Sequence, residues 1–274
     1  MATLFCKGKK LDLSRPVVMG ILNLTPDSFY DGGKYNEIDS QLVRVEKMIL
    51  DGASIIDLGA VSTRPGANKV SQADEMERLL PALKAIRIRF PDCILSVDTF
   101  RPVVAREMAG HGADMINDIY GGRFEEGMFD TISSLDIPYV MMHMKGDPEN
   151  MQENPVYSDV VAEVRYFFEQ QTAKARISGV GQIVIDPGFG FGKSDEHNYR
   201  LLSSLGEFRS MGYPVMAGLS RKSMISRILK TNPGEALNGT TVLNTIALLK
   251  GADILRVHDV KEAVQAIKLV EMLG

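Results

Sequence analysis

Short apolar runs alternate with longer amphipathic stretches from residue 17 to the end of the chain. The run at 17–21 gives way to Asn23, Thr25, Asp27 and Ser28, then to Asp31-Gly32-Gly33. Pro26 cannot donate a ladder hydrogen bond, so the strand stops before it. The same event repeats seven times. Residues 54–58 precede Ser62-Thr63-Arg64-Pro65-Gly66, and 94–97 end in Asp98-Thr99. Residues 114–116 end in Asn117-Asp118, 138–142 in His143, and 182–185 in Asp186-Pro187-Gly188-Phe189-Gly190. Residues 214–217 lead into Ser220-Arg221-Lys222, and 253–255 into Arg256-Val257-His258-Asp259. These runs are too short for helices and too uniformly apolar for half-exposed strands, so each predicts a strand buried on both faces.

Between them the apolar spacing turns helical. Leu42, Val45, Ile49 and Leu50 mark one face over 39–52, and Leu79, Leu80, Leu83 and Ile86 another over 71–89. Further helices are predicted over 159–177 and 260–273. Asp39, Ser71, Ser158 or Asp159, and Ser194 are the expected N-caps, and Gly110, Gly112 and Gly179 the expected helix ends. The pattern is a strand and a helix repeated eight times. It predicts an α/β fold: a single-domain (β/α)8 TIM barrel over residues 1–274, with long loops at the mouth. An open doubly wound sheet is the alternative, and eight strands with no second domain favour closure.

Composition changes this picture little. Charged residues are 24% and hydrophobic ones 45% of 274 residues, an ordinary globular mixture. The apolar runs fall far short of a membrane span, and the first ten residues lack a signal-peptide core. That N-terminal segment is expected to form a short strand or hairpin over the barrel floor. Cys6 and Cys93 suggest neither a disulfide framework nor a metal site, which fits a cytoplasmic protein. A net charge of −4 gives no nucleic-acid signal.

Chemistry gathers at the strand ends, where parallel α/β proteins carry it. Four cationic or potentially cationic positions fall there: Arg64, Arg221 or Lys222, Arg256 and His258. Arg256 and His258 are two apart and face one side, with Val257 turned away. Positive charge collected at the mouth of a net acidic protein points to an anionic ligand, and arginine suits phosphate. Asp57, Asp98, Asn117 and Asp186 form a second set. A carboxylate beside an amide can read a guanidine-like heterocycle edge, as in guanine or pterin. Asp57 can instead cap a following loop. The glycines from Gly188 to Gly192 have the wrong spacing for a phosphate loop and are expected to allow a tight turn. No nucleophilic triad is visible.

These residues carry a resemblance. Met19 to Phe29, Ser62-Thr63-Arg64-Pro65-Gly66, Ser96-Val97-Asp98-Thr99, Ile116-Asn117-Asp118, the Asp186 to Lys193 segment, Ser220-Arg221-Lys222-Ser223 and Arg256-Val257-His258-Asp259 resemble the motif series of the dihydropteroate synthase family, in the family's order. The resemblance implies that p-aminobenzoate displaces pyrophosphate from 6-hydroxymethyl-7,8-dihydropterin pyrophosphate to give 7,8-dihydropteroate, a folate-synthesis step inhibited by sulfonamides. It implies a pterin pocket of Asp98, Asn117, Asp186, Lys222 and Arg256. The pyrophosphate site would comprise Asn23, Arg64, Arg256 and His258, with Asn23 also a magnesium ligand. Phe29, Thr63, Arg64, Pro65, Phe191 and Ser223 match the p-aminobenzoate pocket, with Asp98, Lys222, Arg256 and His258 central to catalysis. Loops over 25–33 and 62–66 would close over the substrates, and a homodimer would form through helices late in the chain.

Two other readings compete. Related barrels transfer a methyl group from a methyl-folate to a corrinoid protein, but they have no need of Thr63-Arg64-Pro65 or of the Arg256/His258 pair. A non-catalytic pterin-binding paralogue would be revealed by binding without product.

Overall fold

The computed structural model describes residues 3–24, 34–61, 70–147, 151 and 155–273. Its centre is an eight-stranded parallel sheet of β3 (Val17–Asn23), β4 (Ile55–Gly59), β5 (Ile94–Asp98), β6 (Met115–Asp118), β7 (Tyr139–Met142), β8 (Ile183–Asp186), β9 (Met216–Ala217) and β10 (Ile254–Val257). In the sheet β3 lies between β10 and β4, and β9 and β8 stand at its two ends. The Ile185 N–H donates to Pro214 O at 2.9 Å and a parallel bridge joins Ile185 to Val215, so these two ends meet and the barrel closes.

Each strand is covered outside by helix. The principal ones are α1 (Lys34–Leu50), α2 (Gln72–Arg89), α3 (Pro102–Gly110), α4 (Met128–Leu135), α5 (Val160–Ile177), α6 (Asp195–Ser203), α7 (Leu205–Arg209), α8 (Ser223–Leu229), α9 (Leu237–Leu249) and α10 (Val260–Glu271). Three expected caps are in place. Ser71 Oγ accepts from Asp74 N–H, Asp159 Oδ1 from Val161 and Ala162 N–H, and Ser194 Oγ from His197 N–H. Asp39 is not a cap. The first helix already begins at Lys34, because residues 34–38 contain no helix breaker and Gly32-Gly33 do. Gly112 and Gly179 take positive φ just after their helices, whereas Gly110 is still helical.

Period-two alternation sorts the strand side chains into two cores. Outward residues such as Val18, Leu22, Ile56, Leu58, Val97, Ile116 and Ile185 pack with the helices. Inward residues Met19, Ile55, Ile94, Met115, Val140, Val184, Met216 and Ile254 form a separate apolar layer inside the barrel. A hairpin of β1 (Thr3–Cys6) and β2 (Lys9–Asp12) plugs the floor beneath it with Leu4, Cys6 and Leu11. Lys7 and Gly8 both adopt positive φ at its turn, the demand of a two-residue hairpin of this hand. Gln182 clamps it, accepting from Phe5 N–H at 2.6 Å and donating to Phe5 O at 3.0 Å. The predicted floor hairpin is therefore present. Among the described residues no helix is long and apolar enough to cross a membrane.

Candidate active site

Two residues further along the strands from the apolar layer, the inward positions become Asp57, Ser96, Asn117, Asp186 and Arg256. The strand register thus converts a hydrophobic floor into a polar layer in one step. Arg256 is its hub. Its Nε donates to Asp57 Oδ2 at 2.7 Å and an Nη donates to Asp98 Oδ2 at 3.0 Å. Asn117 Nδ2 donates to the same Asp57 oxygen at 3.1 Å. Burial works against the Arg256 charge, but Asp57 and Asp98 outweigh it and hold the guanidinium above its ordinary value.

The sequence left Asp57 between membership of the acidic set and capping of a loop. It is fully buried in this network, and among the described residues its Oδ1 has no hydrogen-bond partner. The capping acid is Asp118, which accepts from Tyr120 and Gly122 N–H and from the Tyr139 hydroxyl at 2.6 Å. Sequence alone could have separated the two only through register, because Asp57 faces inward and Asp118 lies one residue past the inward Asn117.

Asp186 ends β8 buried, its Oδ1 accepting from Gly188 N–H at 2.7 Å. Burial raises its carboxyl, and the Lys222 ammonium draws it back. Lys222 stands at the N-terminus of α8, donates to Phe189 O, and lies 4.7 Å from the centre of the Phe191 ring. Burial lowers its ammonium to about 8 against the pull of Asp186. Gly218 keeps the space between these groups open: a Cβ there would stand 3.8 Å from Lys222 Nζ and 3.9 Å from Asp186 Oδ2. The alternative cation, Arg221, is forked onto Asp259 at 2.9 and 2.8 Å and also donates to Pro233 O and Gly234 O.

On the opposite side, Asp98 and Asn23 flank Gly59. A Cβ at Gly59 would lie 3.7 Å from Asp98 Oδ2 and 3.9 Å from Asn23 Oδ1. Burial raises the Asp98 carboxyl to about 7 although Arg256 opposes it, and Asp57, Glu75 and Asp118 add like-charge pressure. His258 follows β10, its N–H bonded to Ser220 Oγ at 3.2 Å. Burial, with the Arg256 and Arg44 guanidiniums, lowers its imidazole to about 4, so it is neutral near pH 7. His258 is thus a neutral hydrogen-bonding group near pH 7, and not one of the cations counted from sequence.

The turn after β8 holds the Lys222 berth. Lys193, fully buried, donates to Gly188 O and Phe191 O at 2.9 Å and bonds His143 Nδ1 at 2.9 Å. This lysine is unavailable to a phosphate, in agreement with the rejection of a phosphate-loop reading. His143, which ends the fifth apolar run, is a buried partner of that lysine, and its imidazole is held well below the usual range by burial and by Lys193. Phe191 is half-buried and packs at the mouth with Phe100, Ile119 and Met142. Ser223 opens α8 as expected and is exposed. Phe29, Thr63, Arg64 and Pro65, with the whole of both predicted closing loops, lie outside the described residues.

The described mouth therefore brings together two chemistries. One is a carboxylate–amide–ammonium edge of Asp186, Asn117 and Lys222; the other is a corner of Arg256, His258 and Asn23. The first suits a planar heterocycle with adjacent N–H donors, and the second an anion. Among the described residues no three His, Cys, Asp or Glu side chains gather as a metal cage.

The family model described as pterin binding enzyme matches residues 19–258. The dihydropteroate synthase of Escherichia coli K12 is 47% identical over 270 residues, covering 98% of this chain and 95% of its own. A solved dihydropteroate synthase of Yersinia pestis, in a sulfonamide drug complex, superposes with a TM-score of 0.93 at 43% identity, covering 99% of each chain. The Xanthomonas albilineans dihydropteroate synthase with 4-aminobenzoic acid gives a TM-score of 0.93 at 39% identity, covering 99% of this chain and 97% of that one. With identity at this level over nearly the whole length, the chain belongs to the dihydropteroate synthase family of pterin-binding enzymes.

Proposed function

We propose that this protein is a dihydropteroate synthase, a transferase of folate synthesis that joins p-aminobenzoate to a dihydropterin and releases pyrophosphate. The observation that carries the reading is the polar layer centred on Arg256, set between the pterin-type edge and the anion corner in a chain that shares nearly its full length with this family.

In this mechanism the Asp186 carboxylate accepts from the pterin amino and ring N–H groups, while Asn117 and Lys222 complete the ring edge. The diphosphate lies toward Arg256, His258 and Asn23. The aniline nitrogen attacks the pterin methylene carbon as the C–O bond breaks. That bond's electron pair leaves with pyrophosphate, and the nitrogen then loses a proton. Ionised Asp98 offsets the positive character that the pterin gains as the bond opens. The enzyme needs no nucleophile of its own.

Magnesium belongs to the proposal. Among the described residues Asn23 presents one amide oxygen with no carboxylate cage, a donor set that fits magnesium held mainly by phosphate and water. When bound there, the ion would neutralise charge on the departing pyrophosphate. Phe191 and Ser223, with Phe29, Thr63, Arg64 and Pro65, are assigned to the p-aminobenzoate side. A homodimer through the late helices is supported by the exposed Val242, Leu249, Leu269 and Leu273, and a cytoplasmic setting by two free thiols.

Sulfonamide kinetics test the reading. Dihydropteroate formation is measured while p-aminobenzoate is varied at fixed drug. The expected result is a raised KM with unchanged kcat. A fall in kcat with KM unchanged would place the drug elsewhere and remove the p-aminobenzoate assignment.

A further inference from the structure

The anion corner has a charge problem. Arg256 is committed to Asp57 and Asp98. Arg221 is committed to Asp259 through two bonds. Lys222 donates to Phe189 O beside Asp186, and His258 is neutral. Among the described residues, the groups picked out by motif thus offer a diphosphate little uncommitted positive charge.

Arg44, on the third turn of α1, does. It is half-buried, and one Nη reaches Ile21 O at 3.4 Å, two residues before Asn23 on β3. It makes no ion pair among the described residues. The carboxylate that acts on it is Asp259, whose two oxygens are already taken by Arg221. Its charge is felt at His258 together with those of Arg256 and Arg221. A guanidinium partly withdrawn from water without a counter-ion is unfavourable, and a bound anion would remove the penalty.

We infer that Arg44 binds the diphosphate of the pterin substrate, adding from the first helix a cation that, among the described residues, the Asn23–His258 corner otherwise lacks. Guanidinium geometry suits it to two phosphate oxygens at once. The inference rests on the synthase reading, so its test must separate the two.

The experiment compares wild type, Arg44→Gln and Arg44→Lys. Calorimetry with magnesium present measures the Kd of inorganic pyrophosphate and of 6-hydroxymethylpterin, which lacks the diphosphate. Arg44→Gln is expected to weaken pyrophosphate by about tenfold or more, as for loss of a charge-assisted bond, with pterin affinity unchanged. Arg44→Lys should recover part of the loss, since it restores charge without the fork. Pyrophosphate affinity within about twofold of wild type in Arg44→Gln overturns the assignment, that being too small for a lost charge-assisted bond. Equal weakening of both ligands also overturns it, by showing that Arg44 only straps α1 to β3. If wild type itself neither binds pyrophosphate nor forms dihydropteroate, the synthase reading fails first and the assignment fails with it.

Discussion

At the residue scale, the decisive feature is the sharing of one guanidinium by two carboxylates of different duty. Asp57 is fully enclosed and accepts from both Arg256 and Asn117, so it fixes the hub. Asp98 sits nearer the mouth, retains some exposure, and is raised to about 7 by burial. If ionised Asp98 serves the reaction, kcat/KM must fall as pH drops through about 7, because protonation removes the charge facing the pterin. Lys222, lowered to about 8, loses its proton as pH rises through that value, which gives the alkaline limb. A narrow bell between these limits is expected for the wild type. Asp98→Asn should lower turnover by about a hundredfold or more and abolish the acid limb. Near-normal turnover, or an unchanged acid limb, contradicts the role. Most of these side chains were legible in the sequence, because a polar residue ending an apolar run marks a strand entering the mouth. Asp57 was left between two roles because its environment depends on register, and the burial of Lys193 was invisible because nothing in a linear motif tells a buried lysine from an exposed one.

At the element scale, the turn after β8 is the most tightly determined piece of the site. Gly188 has φ +70°, and a Cβ there would fall 1.9 Å from His143 O. Gly192 has φ +64°, and a Cβ there would lie 2.2 Å from Lys145 O. Two glycines therefore let this turn press against the backbone following β7, and Lys193 seals it by donating to three carbonyls. Gly188→Ala is expected to cost about 3 kcal/mol or more of stability and to weaken pterin binding, since Phe189 O and Phe191 would shift from Lys222. Chemical denaturation and pterin titration check this. An unchanged midpoint with wild-type affinity would refute the close packing. The need for glycine here was visible in the sequence, but the surface pressing on it was not, since residues 143 and 188 meet only after folding. The start of α1 was likewise missed: Asp39 has the chemistry of a cap, yet helix propensity carries the helix back to Lys34.

At the scale of the whole molecule, the barrel separates stability from chemistry. The floor hairpin and the apolar layer close one end, and the polar layer opens at the other. Strand number, helix alternation and the floor hairpin were all readable, because buried parallel strands leave unbroken apolar runs. How charge is distributed at the mouth was not. Counting cations in the motifs overlooked that most are neutralised by folding, and that Arg44 arrives from a helix that carries no motif. The central claim is a single condensation at this mouth. Its most direct test incubates the protein with dihydropterin pyrophosphate and magnesium, with and without p-aminobenzoate, and follows both products. The account predicts one 7,8-dihydropteroate for each pyrophosphate, formed only when both substrates are present. Pterin binding with neither product, or pyrophosphate release without dihydropteroate when p-aminobenzoate is supplied, would contradict it.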